Sequence, residues 1–213
     1  MDINGLLECS FENFTDLPWG IGLSKAGRDI LQSEEIRNAL RKISIYQDFC
    51  MWQNMFFDKS TGTIDHIDTW YLDTNPMGYL FGAWVALEDI NGEGGVFHVY
   101  PKSHLSKNEE WINTSHEEFI NWSKDESNNF ERKSLYLRKG DLLIWHPSLI
   151  HGSSLQKEKG FSRKSLTAHY HPCNLLRSKG GSKIIDKNEY KRKLLKQKKQ
   201  MRSFGYPISS RAS

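Results

Sequence analysis

His66-Ile67-Asp68 is the stretch from which the fold and the function of this chain are best inferred. In an extended strand, side chains at positions i and i+2 point to the same face, so an imidazole and a carboxylate can converge on one point. His151, much further along the chain, can supply a third group if the fold brings it close. Two histidines and one carboxylate on one face of a metal, with other positions open, are typical of non-haem Fe(II) oxygenases.

Arg163 is the candidate for binding an organic acid. The turn residues 157–160 predict a hairpin that places Arg163 on the strand next to that of His151. A planar guanidinium matches a carboxylate in a bidentate fashion, which would suit the distal carboxylate of 2-oxoglutarate. A lone His-x-Asp is common, however, and spacing alone favours a surface arginine beside Lys164. These residues by themselves therefore leave both interpretations open.

Length and composition are those of one globular domain. The chain has 213 residues, 12% of them aromatic and seven of them Trp, which favours a folded core over disorder. No apolar run is long enough to predict a membrane span, and residues 1–5 lack the features of a signal peptide. Cys9, Cys50 and Cys173 are odd in number and widely spaced, so we expect neither a zinc motif nor a disulfide framework. These features favour a cytoplasmic protein.

Charge is unevenly distributed. Residues 177–213 contain 12 Lys or Arg and 2 Asp or Glu, whereas residues 1–176 contain 17 basic and 24 acidic residues. A basic amphipathic helix can bind nucleic acid, an anionic membrane or an acidic partner. The simplest interpretation is a solvated helix docked on the acidic body of its own chain, and the tail lacks the interleaved aromatic residues that stack bases. One face of this helix would carry Tyr190, Leu194, Gln197 and Met201.

Residues 1–50 are predicted to be mostly helical, with one helix from Ser33, its N-cap, to Ile43. Short strands separated by turn residues follow, the pattern of a barrel or sandwich. The polar residues 106–133 interrupt them and predict an inserted helical segment or lid, in which we expect Trp111 and Trp122 to pack onto the barrel. The predicted strands are Met51–Phe57, Gly78–Leu87, Gly95–Tyr100, Leu135–Leu137, Asp141–Trp145, Leu149–Ser154 and Arg163–His171.

A series of short runs, unspecific one by one, occurs in the order found in a known family. These runs are Phe57-Asp58-Lys59, 66–71, 82–89, 94–104, 139–146, His151-Gly152-Ser153 and 162–167. Over about residues 50–172 the chain thus resembles the phytanoyl-CoA dioxygenase family, a branch of the Fe(II)/2-oxoglutarate-dependent oxygenases. The resemblance implies a mainly β fold with flanking helices, a double-stranded β-helix or cupin-like jelly-roll barrel, with iron bound inside one end.

The expected organisation is a single dioxygenase domain over residues 1–176, followed by the basic tail 177–213. Within the domain we expect a helical part, 1–50, and a jelly-roll core, 51–172, that carries the insertion 106–133. The oligomeric state is left open.

The resemblance also implies roles for individual residues. It places Fe(II) on His66, Asp68 and His151, and the distal carboxylate of the cosubstrate 2-oxoglutarate on Arg163. Further side chains are expected to complete the cosubstrate pocket: Ser153, Trp84, Met55 and Gln53. One of Trp70 and Tyr71 is expected to face the pocket, because adjacent residues in a strand point to opposite sides. The remaining candidate histidines are expected to be structural, surface or supporting residues: His98, His104, His146, His169 and His171.

The chain departs from the family pattern in three respects. Ile67 stands where the family usually has Gln, which removes one polar contact available to cosubstrate or substrate. Lys102 replaces the glycine of a Pro-Gly-Ser-His turn. The chain is also short, so we expect a reduced N-terminal substrate-binding part and no long acyl-CoA pocket.

The expected reaction is hydroxylation of a small-molecule metabolite by O2, or a variant such as desaturation, with release of succinate and CO2. Asp68 favours oxygenation, since related halogenases lack this carboxylate. Two alternatives remain, a metalloenzyme on the same barrel that does not use 2-oxoglutarate, and a non-catalytic binding module whose basic tail reaches an anionic partner. Arg163 argues against the first, and the intact three-residue set argues against the second.

Overall fold

The computed structural model describes residues 25–60, 62–157, 160–178 and 186–203, and the helical structure predicted for residues 1–24 lies outside them. The helices are α1 (Lys25–Leu31), α2 (Glu34–Ile43), α3 (His116–Ser127) and α4 (Lys187–Ser203). The strands are β1 (Phe49–Phe57), β2 (Asp73–Asn75), β3 (Phe81–Ala86), β4 (Phe97–Val99), β5 (Lys133–Leu135), β6 (Leu142–Trp145), β7 (His151–Ser153), β8 (Ser165–Pro172) and β9 (Leu176–Ser178).

The strands form two main antiparallel sheets and one short pair. The larger sheet has the order β1-β8-β3-β6, the smaller sheet β5-β4-β7, and β2 pairs with β9. Trp84 and Trp145 of the larger sheet pack with Phe97 and Val99 of the smaller sheet in one buried cluster. The predicted mainly β jelly roll is confirmed.

Alternation along β8 separates the two faces of the larger sheet. Leu166, Ala168 and Tyr170 pack with residues of α1 and α2 in an apolar cluster, so the helices cover one face. Thr167 and His169, at the intervening positions, line an internal cavity on the other face. The polar side chains of β8 therefore point into the barrel.

The predicted hairpin between the strands of His151 and Arg163 is wrong. β7 belongs to the smaller sheet and β8 to the larger one. The segment after β7 continues past the chain before β4, because the amides of Ser154 and Lys157 donate to the carbonyl oxygens of Val96 and Glu93. The chain thus crosses from one sheet to the other, and Arg163 approaches the interior from a different sheet than His151.

The expectation of no disulfide is also wrong, since Cys50 and Cys173 are bonded. They are 123 residues apart in sequence, which hid the pairing. Cys50 lies opposite His171 in the register of β1 and β8, so Cys173, just after β8, comes within reach of it. Their Cα atoms are 5.3 Å apart.

The insertion and the tail adopt the predicted helices. α3 begins with a capping box between Ser115 and Glu118, and Trp111 and Phe119 are buried against the barrel residue Ile150, with Trp122 packed on the same cluster. Packing, rather than a free lid, is therefore the arrangement of these aromatic residues.

The docking of α4 on its own chain is confirmed, whereas a role of the acidic body in this docking stays a prediction. The Gln197 side chain accepts from the Arg177 amide at 2.9 Å and donates to the Leu175 carbonyl at 3.0 Å, while Met201 is buried. In the described part of the chain, no helix combines the length and the apolar character needed to cross a membrane.

Candidate metal centre

His66 and His151 face each other across an isolated antiparallel bridge. The amide of each donates to the carbonyl oxygen of the other at 3.0 Å, and the imidazole centroids lie 4.4 Å apart. His151 is the first residue of β7, whereas His66 lies in the connection between β1 and β2. One backbone bridge thus joins two histidines that are far apart in sequence.

Asp68 is brought to the same point by the extended backbone of Ile67, with φ −110° and ψ 142°. Its Oδ1 atom is 3.7 Å from Nε2 of each histidine. One nitrogen or oxygen atom from each of His66, Asp68 and His151 lies within 4.8 Å of the others, and all three could hold a metal ion.

Hydrogen bonds behind the imidazoles orient them. Nδ1 of His66 bonds to the Ile64 carbonyl oxygen at 2.8 Å. Nδ1 of His151 bonds to the Leu149 carbonyl oxygen, also at 2.8 Å. These contacts assign the proton of each neutral ring to Nδ1, so each Nε2 keeps a lone pair for a metal.

The second carboxylate oxygen of Asp68 is held separately. Oδ2 accepts from Nε1 of Trp145 at 2.8 Å and bonds to Nε2 of His169 at 3.2 Å. Gly82 makes room for the indole, since a Cβ atom there would lie 2.1 Å from the Trp145 ring. Oδ1 is therefore the oxygen left for a ligand.

Burial and charge set the protonation of the three side chains. Burial disfavours the Asp68 carboxylate, yet the imidazoles of His169 and His151 hold the pKa of Asp68 well below its usual value. Burial lowers the pKa of His151 to about 4. Burial also acts to lower the pKa of His66, but the Asp68 carboxylate outweighs it and raises that pKa above its ordinary value. A metal must then compete with a proton at His66, so binding should strengthen as pH rises.

Arg163 is the other unusual group of the interior. It is 4% exposed, and its Nε and Nη1 atoms have no hydrogen-bond partner among the described residues. The guanidinium carbon lies 5.6 Å from the ring centroid of Trp84. Burial lowers the pKa of Arg163 to about 10, so the group is still a cation at neutral pH. A buried cation without partners is costly unless an anion joins it.

A cavity of about 310 Å³ connects Arg163 with the metal centre. All eight residues predicted for the site line it, and Ser153 is oriented there by the Thr63 amide, which donates to its Oγ at 3.0 Å. The lining residues are Gln53, Met55, Phe57, Thr63, His66, Asp68, Tyr71, Leu72, Trp84, Phe97, Trp145, His151, Gly152, Ser153, Arg163, Thr167 and His169.

Of the two aromatic residues that follow Asp68, Tyr71 faces the cavity. Trp70 instead stacks on Phe119 of the insertion at 4.7 Å. Ile67 is buried in the insertion cluster and does not line the cavity, and the loss of a polar contact expected at this position stays a prediction. Its side chain points away from the metal centre for the same reason that Asp68 points towards it, the alternation of an extended backbone.

The sequence did not identify Trp145 as a contact of Asp68, and His169 was assigned only a supporting or structural role. For His169 the sequence did contain a signal. Thr167 and His169 are at alternate positions of a predicted strand, so their side chains are expected to face the same side of the sheet. For Trp145 no signal existed, since its contact with Asp68 depends on how the sheets pack. The remaining candidate histidines do not line the cavity: His98, His104, His146 and His171.

The sequence matches a family model described as "Phytanoyl-CoA dioxygenase (PhyH)" over residues 21–165. The human protein "Phytanoyl-CoA dioxygenase, peroxisomal" is 32% identical over 124 residues, which are 55% of this chain and 36% of that protein. A Caenorhabditis elegans protein, "Phytanoyl-CoA dioxygenase domain-containing protein 1 homolog", is 25% identical over 64% of this chain and 51% of its own length. The chain thus spans only about a third of the length of the peroxisomal relatives it matches.

Two of the solved structures that share the fold are described as holding 2-oxoglutarate, also named alpha ketoglutarate. The epimerase SnoN, in complex with Fe3+, alpha ketoglutarate and nogalamycin RO, matches with a TM-score of 0.60 and 20% identity over 71% of this chain and 60% of that chain. EctD from S. alaskensis, with 2-oxoglutarate and 5-hydroxyectoine, matches with a TM-score of 0.57 and 15% identity over 78% of this chain and 58% of that chain. At these identities the matches establish the fold.

Proposed function

The chain belongs to the phytanoyl-CoA dioxygenase family, and from that premise we propose that it is an Fe(II)/2-oxoglutarate-dependent dioxygenase that hydroxylates a small molecule. One observation carries the proposal. A set of two histidines and one carboxylate shares a cavity with a buried arginine whose Nε and Nη1 atoms have no partner among the described residues. The first feature suits Fe(II) and the second suits an organic carboxylate.

His66, Asp68 and His151 would hold the iron through two Nε2 atoms and one carboxylate oxygen. When bound, the iron and 2-oxoglutarate would supply the O2 chemistry that hydroxylates an unactivated C–H bond and releases succinate and CO2. The protein's own contribution is orientation. Trp145 and His169 hold the second oxygen of Asp68, and backbone carbonyls hold the two imidazoles.

Arg163 would bind the distal carboxylate of 2-oxoglutarate in a bidentate pair. Trp84 supports the guanidinium from one side, and the Ser153 hydroxyl lines the same cavity. Met55 and Gln53, from β1, would complete the wall around the cosubstrate. The deep end of the cavity is formed by buried side chains, including Trp84, Phe97 and Trp145, which would keep water from the reacting atoms.

The alternative of a metalloenzyme that does not use 2-oxoglutarate leaves the unpartnered Nε and Nη1 atoms of Arg163 without a role. The alternative of a non-catalytic binding module leaves the convergent ligand atoms without one. The SnoN and EctD structures contain alpha ketoglutarate and 2-oxoglutarate, respectively, and this supports the same cosubstrate here.

The location of the protein stays a prediction. Four mammalian relatives are named as peroxisomal. A disulfide, such as that between Cys50 and Cys173, is uncommon in reducing compartments. The cytoplasmic location favoured by the sequence therefore needs its own experiment, for example fractionation of cells that express the tagged chain.

The proposed function is tested by anaerobic titration of the protein with Fe(II) and then 2-oxoglutarate, following the visible absorption band of the chelate. We expect one iron per chain and a band that saturates with 2-oxoglutarate. Asp68→Ala should abolish the band, whereas His104→Ala, which changes a histidine outside the cavity, should leave it intact. Absence of a band in the wild-type protein would overturn the proposal.

A further inference from the structure

The more exposed lining side chains of the cavity come from β1 and from the segment around the metal centre. Gln53, Met55 and Phe57 of β1 are half-buried, as are His66, Tyr71 and Leu72, and Thr63 is exposed. By contrast, the lining residues at the deep end, such as Trp84 and Arg163, are buried. A substrate would therefore meet the side chains of β1 and those that follow the metal centre.

The charged or titratable lining side chains are already assigned among the described residues. His66, Asp68 and His151 would hold the metal, His169 supports Asp68, and Arg163 would bind the cosubstrate. No further charged side chain of the described chain lines the cavity. A charged reacting end of a substrate would lose its hydration there without gaining a partner.

Four lining side chains remain that can make neutral hydrogen bonds: Gln53, Thr63, Tyr71 and Thr167. Tyr71 differs from the others in its relation to the metal centre and in how it is held. Its ring packs edge-on against His66, with centroids 5.8 Å apart and planes at 82°. Its hydroxyl bonds to Nε2 of His116 at 3.0 Å, in an exposed position.

His116 is the first residue of α3, in the insertion. Its imidazole also packs against Trp70, with centroids 5.5 Å apart, and Trp70 in turn stacks on Phe119. The insertion therefore fixes the direction of the Tyr71 hydroxyl from outside the barrel. A polar group held in place before the ligand arrives loses less freedom on binding.

On the basis of the proposed function, we propose that the site takes a substrate whose reacting end is uncharged and carries a hydrogen-bonding group, which Tyr71 binds in an orientation set by His116. The cavity volume of about 310 Å³ is at the lower end for ligand pockets and must hold the cosubstrate as well. The part of the substrate that enters is therefore small, and any larger part extends past β1 into solvent.

The test uses three probes that share a cyclohexyl ring: cyclohexanol, cyclohexanecarboxylate and cyclohexylammonium. Binding of each to the Zn(II)- and 2-oxoglutarate-loaded protein is measured by ligand-observed NMR, so the readout does not depend on turnover. We expect the alcohol to bind about fivefold more tightly than either charged probe, the size of one neutral hydrogen bond and the avoided desolvation of a charge.

Variants separate the roles of the two residues. Tyr71→Phe should weaken binding of the alcohol about fivefold and leave the affinity for 2-oxoglutarate unchanged. His116→Ala should weaken binding of the alcohol less than Tyr71→Phe does. His116→Gln keeps a side-chain hydrogen-bonding group and should restore binding of the alcohol. Tyr136→Phe removes a hydroxyl from an exposed tyrosine outside the cavity and is the matched control. Thermal unfolding of each variant identifies any loss of folding.

The inference is overturned if a charged probe binds as tightly as the alcohol, if the alcohol does not bind, or if Tyr71→Phe binds it like the wild type. If His116→Ala has no effect on binding of the alcohol, the positioning role proposed for His116 is overturned. Failure of the wild type to bind 2-oxoglutarate would instead overturn the proposed function, so the two failures are distinguishable.

Discussion

Two clusters in this barrel are built from the same three residue types. The cavity cluster consists of His151, Arg163 and Trp84, and the wall cluster consists of His171, Arg177 and Trp52. In both, the arginine lies over the tryptophan ring, with the guanidinium carbon 5.6 Å and 5.0 Å from the ring centroid. In both, the histidine is buried and belongs to a strand.

The clusters differ in whether their polar atoms have partners. In the wall cluster, Nε of Arg177 donates to Nε2 of His171 at 2.9 Å, and Nδ1 of that histidine bonds to the Pro172 carbonyl oxygen. In the cavity cluster, Nε and Nη1 of Arg163 have no partner among the described residues. Unpaired buried groups cost about 1–3 kcal/mol each, so the cavity cluster lowers stability until a ligand joins it. Residue types alone do not separate these two clusters, whereas the hydrogen-bond partners of the two arginines do.

The largest expected difference between the clusters is in metal affinity. His151→Ala removes one of three proposed ligands and should weaken Fe(II) or Co(II) binding by at least about 100-fold, the upper end of what supporting residues alone cost. His171→Gln should leave metal affinity unchanged. Equilibrium dialysis with metal analysis measures both, and equal losses in the two variants would remove the distinction between the clusters.

The next effect concerns the disulfide beside the wall cluster. Replacing Cys50 and Cys173 together by Ser should lower the free energy of unfolding by about 3 kcal/mol, because the unfolded chain loses a crosslink over a long loop. Metal affinity should stay the same. Denaturant unfolding measures the change, and a reductant should produce it in the wild type but not in the double variant. Two free thiols at these positions in the non-reduced wild type would contradict the structure.

The next prediction concerns how the free energy of unfolding depends on pH through His171 of the wall cluster. Burial lowers the pKa of His171 to about 3, below the ordinary value of about 6.5 for an unfolded chain. The unfolded state therefore binds a proton first, and stability falls as pH drops below 6.5 towards 3. From pH 7 to pH 5 the loss should be about 2 kcal/mol for this residue.

His171→Gln removes the group that titrates, and the Gln side chain can still accept a hydrogen bond from Arg177. Between pH 7 and pH 5 this variant should therefore lose about 2 kcal/mol less stability than the wild type. Denaturant unfolding of the metal-free protein at the two pH values measures it. His151 shifts in the same direction but is present in both proteins, so it cancels. Identical pH dependence in the two proteins would show that His171 is not held neutral by burial.

The smallest expected effect lies outside both clusters. Lys102 occupies the left-handed region, with φ 74°, where a non-glycine residue costs about 1 kcal/mol. Lys102→Gly should therefore raise the free energy of unfolding by about 1 kcal/mol without changing metal or 2-oxoglutarate binding. Lys102→Ala keeps the strained backbone and should give no gain. If both variants behave alike, the strain is absent.

The sequence predicted the fold well because its signals are local. Alternation and turn residues located seven strands, and the spacing of His66, Asp68 and His151 predicted three side chains that the structure does bring together. Sheet membership was not predictable in the same way. A turn between β7 and β8 suggested a hairpin, but pairing of Ser154 and Lys157 with the chain before β4 depends on contacts between distant segments.

Other features depend on three-dimensional packing and left no pattern in the chain. The disulfide needed the β1–β8 register, and the contact of Trp145 with Asp68 needed a glycine in the neighbouring strand, Gly82, that no periodicity marks. The difference between Arg163 and Arg177 is of the same kind. Both are arginines in a basic or polar context of the sequence, and only the positions of their neighbours show which one lacks partners.

The most direct test of the central claim is calorimetric titration of 2-oxoglutarate into anaerobic, Fe(II)-loaded protein for three forms: wild type, Arg163→Met and Arg177→Met. Losing a buried charge pair with a carboxylate costs about 2–5 kcal/mol, so Arg163→Met should bind at least about 30-fold more weakly. Arg177→Met should bind like the wild type, although its unfolding temperature falls. Equal affinity of Arg163→Met and wild type, or equal weakening in both variants, would contradict the account.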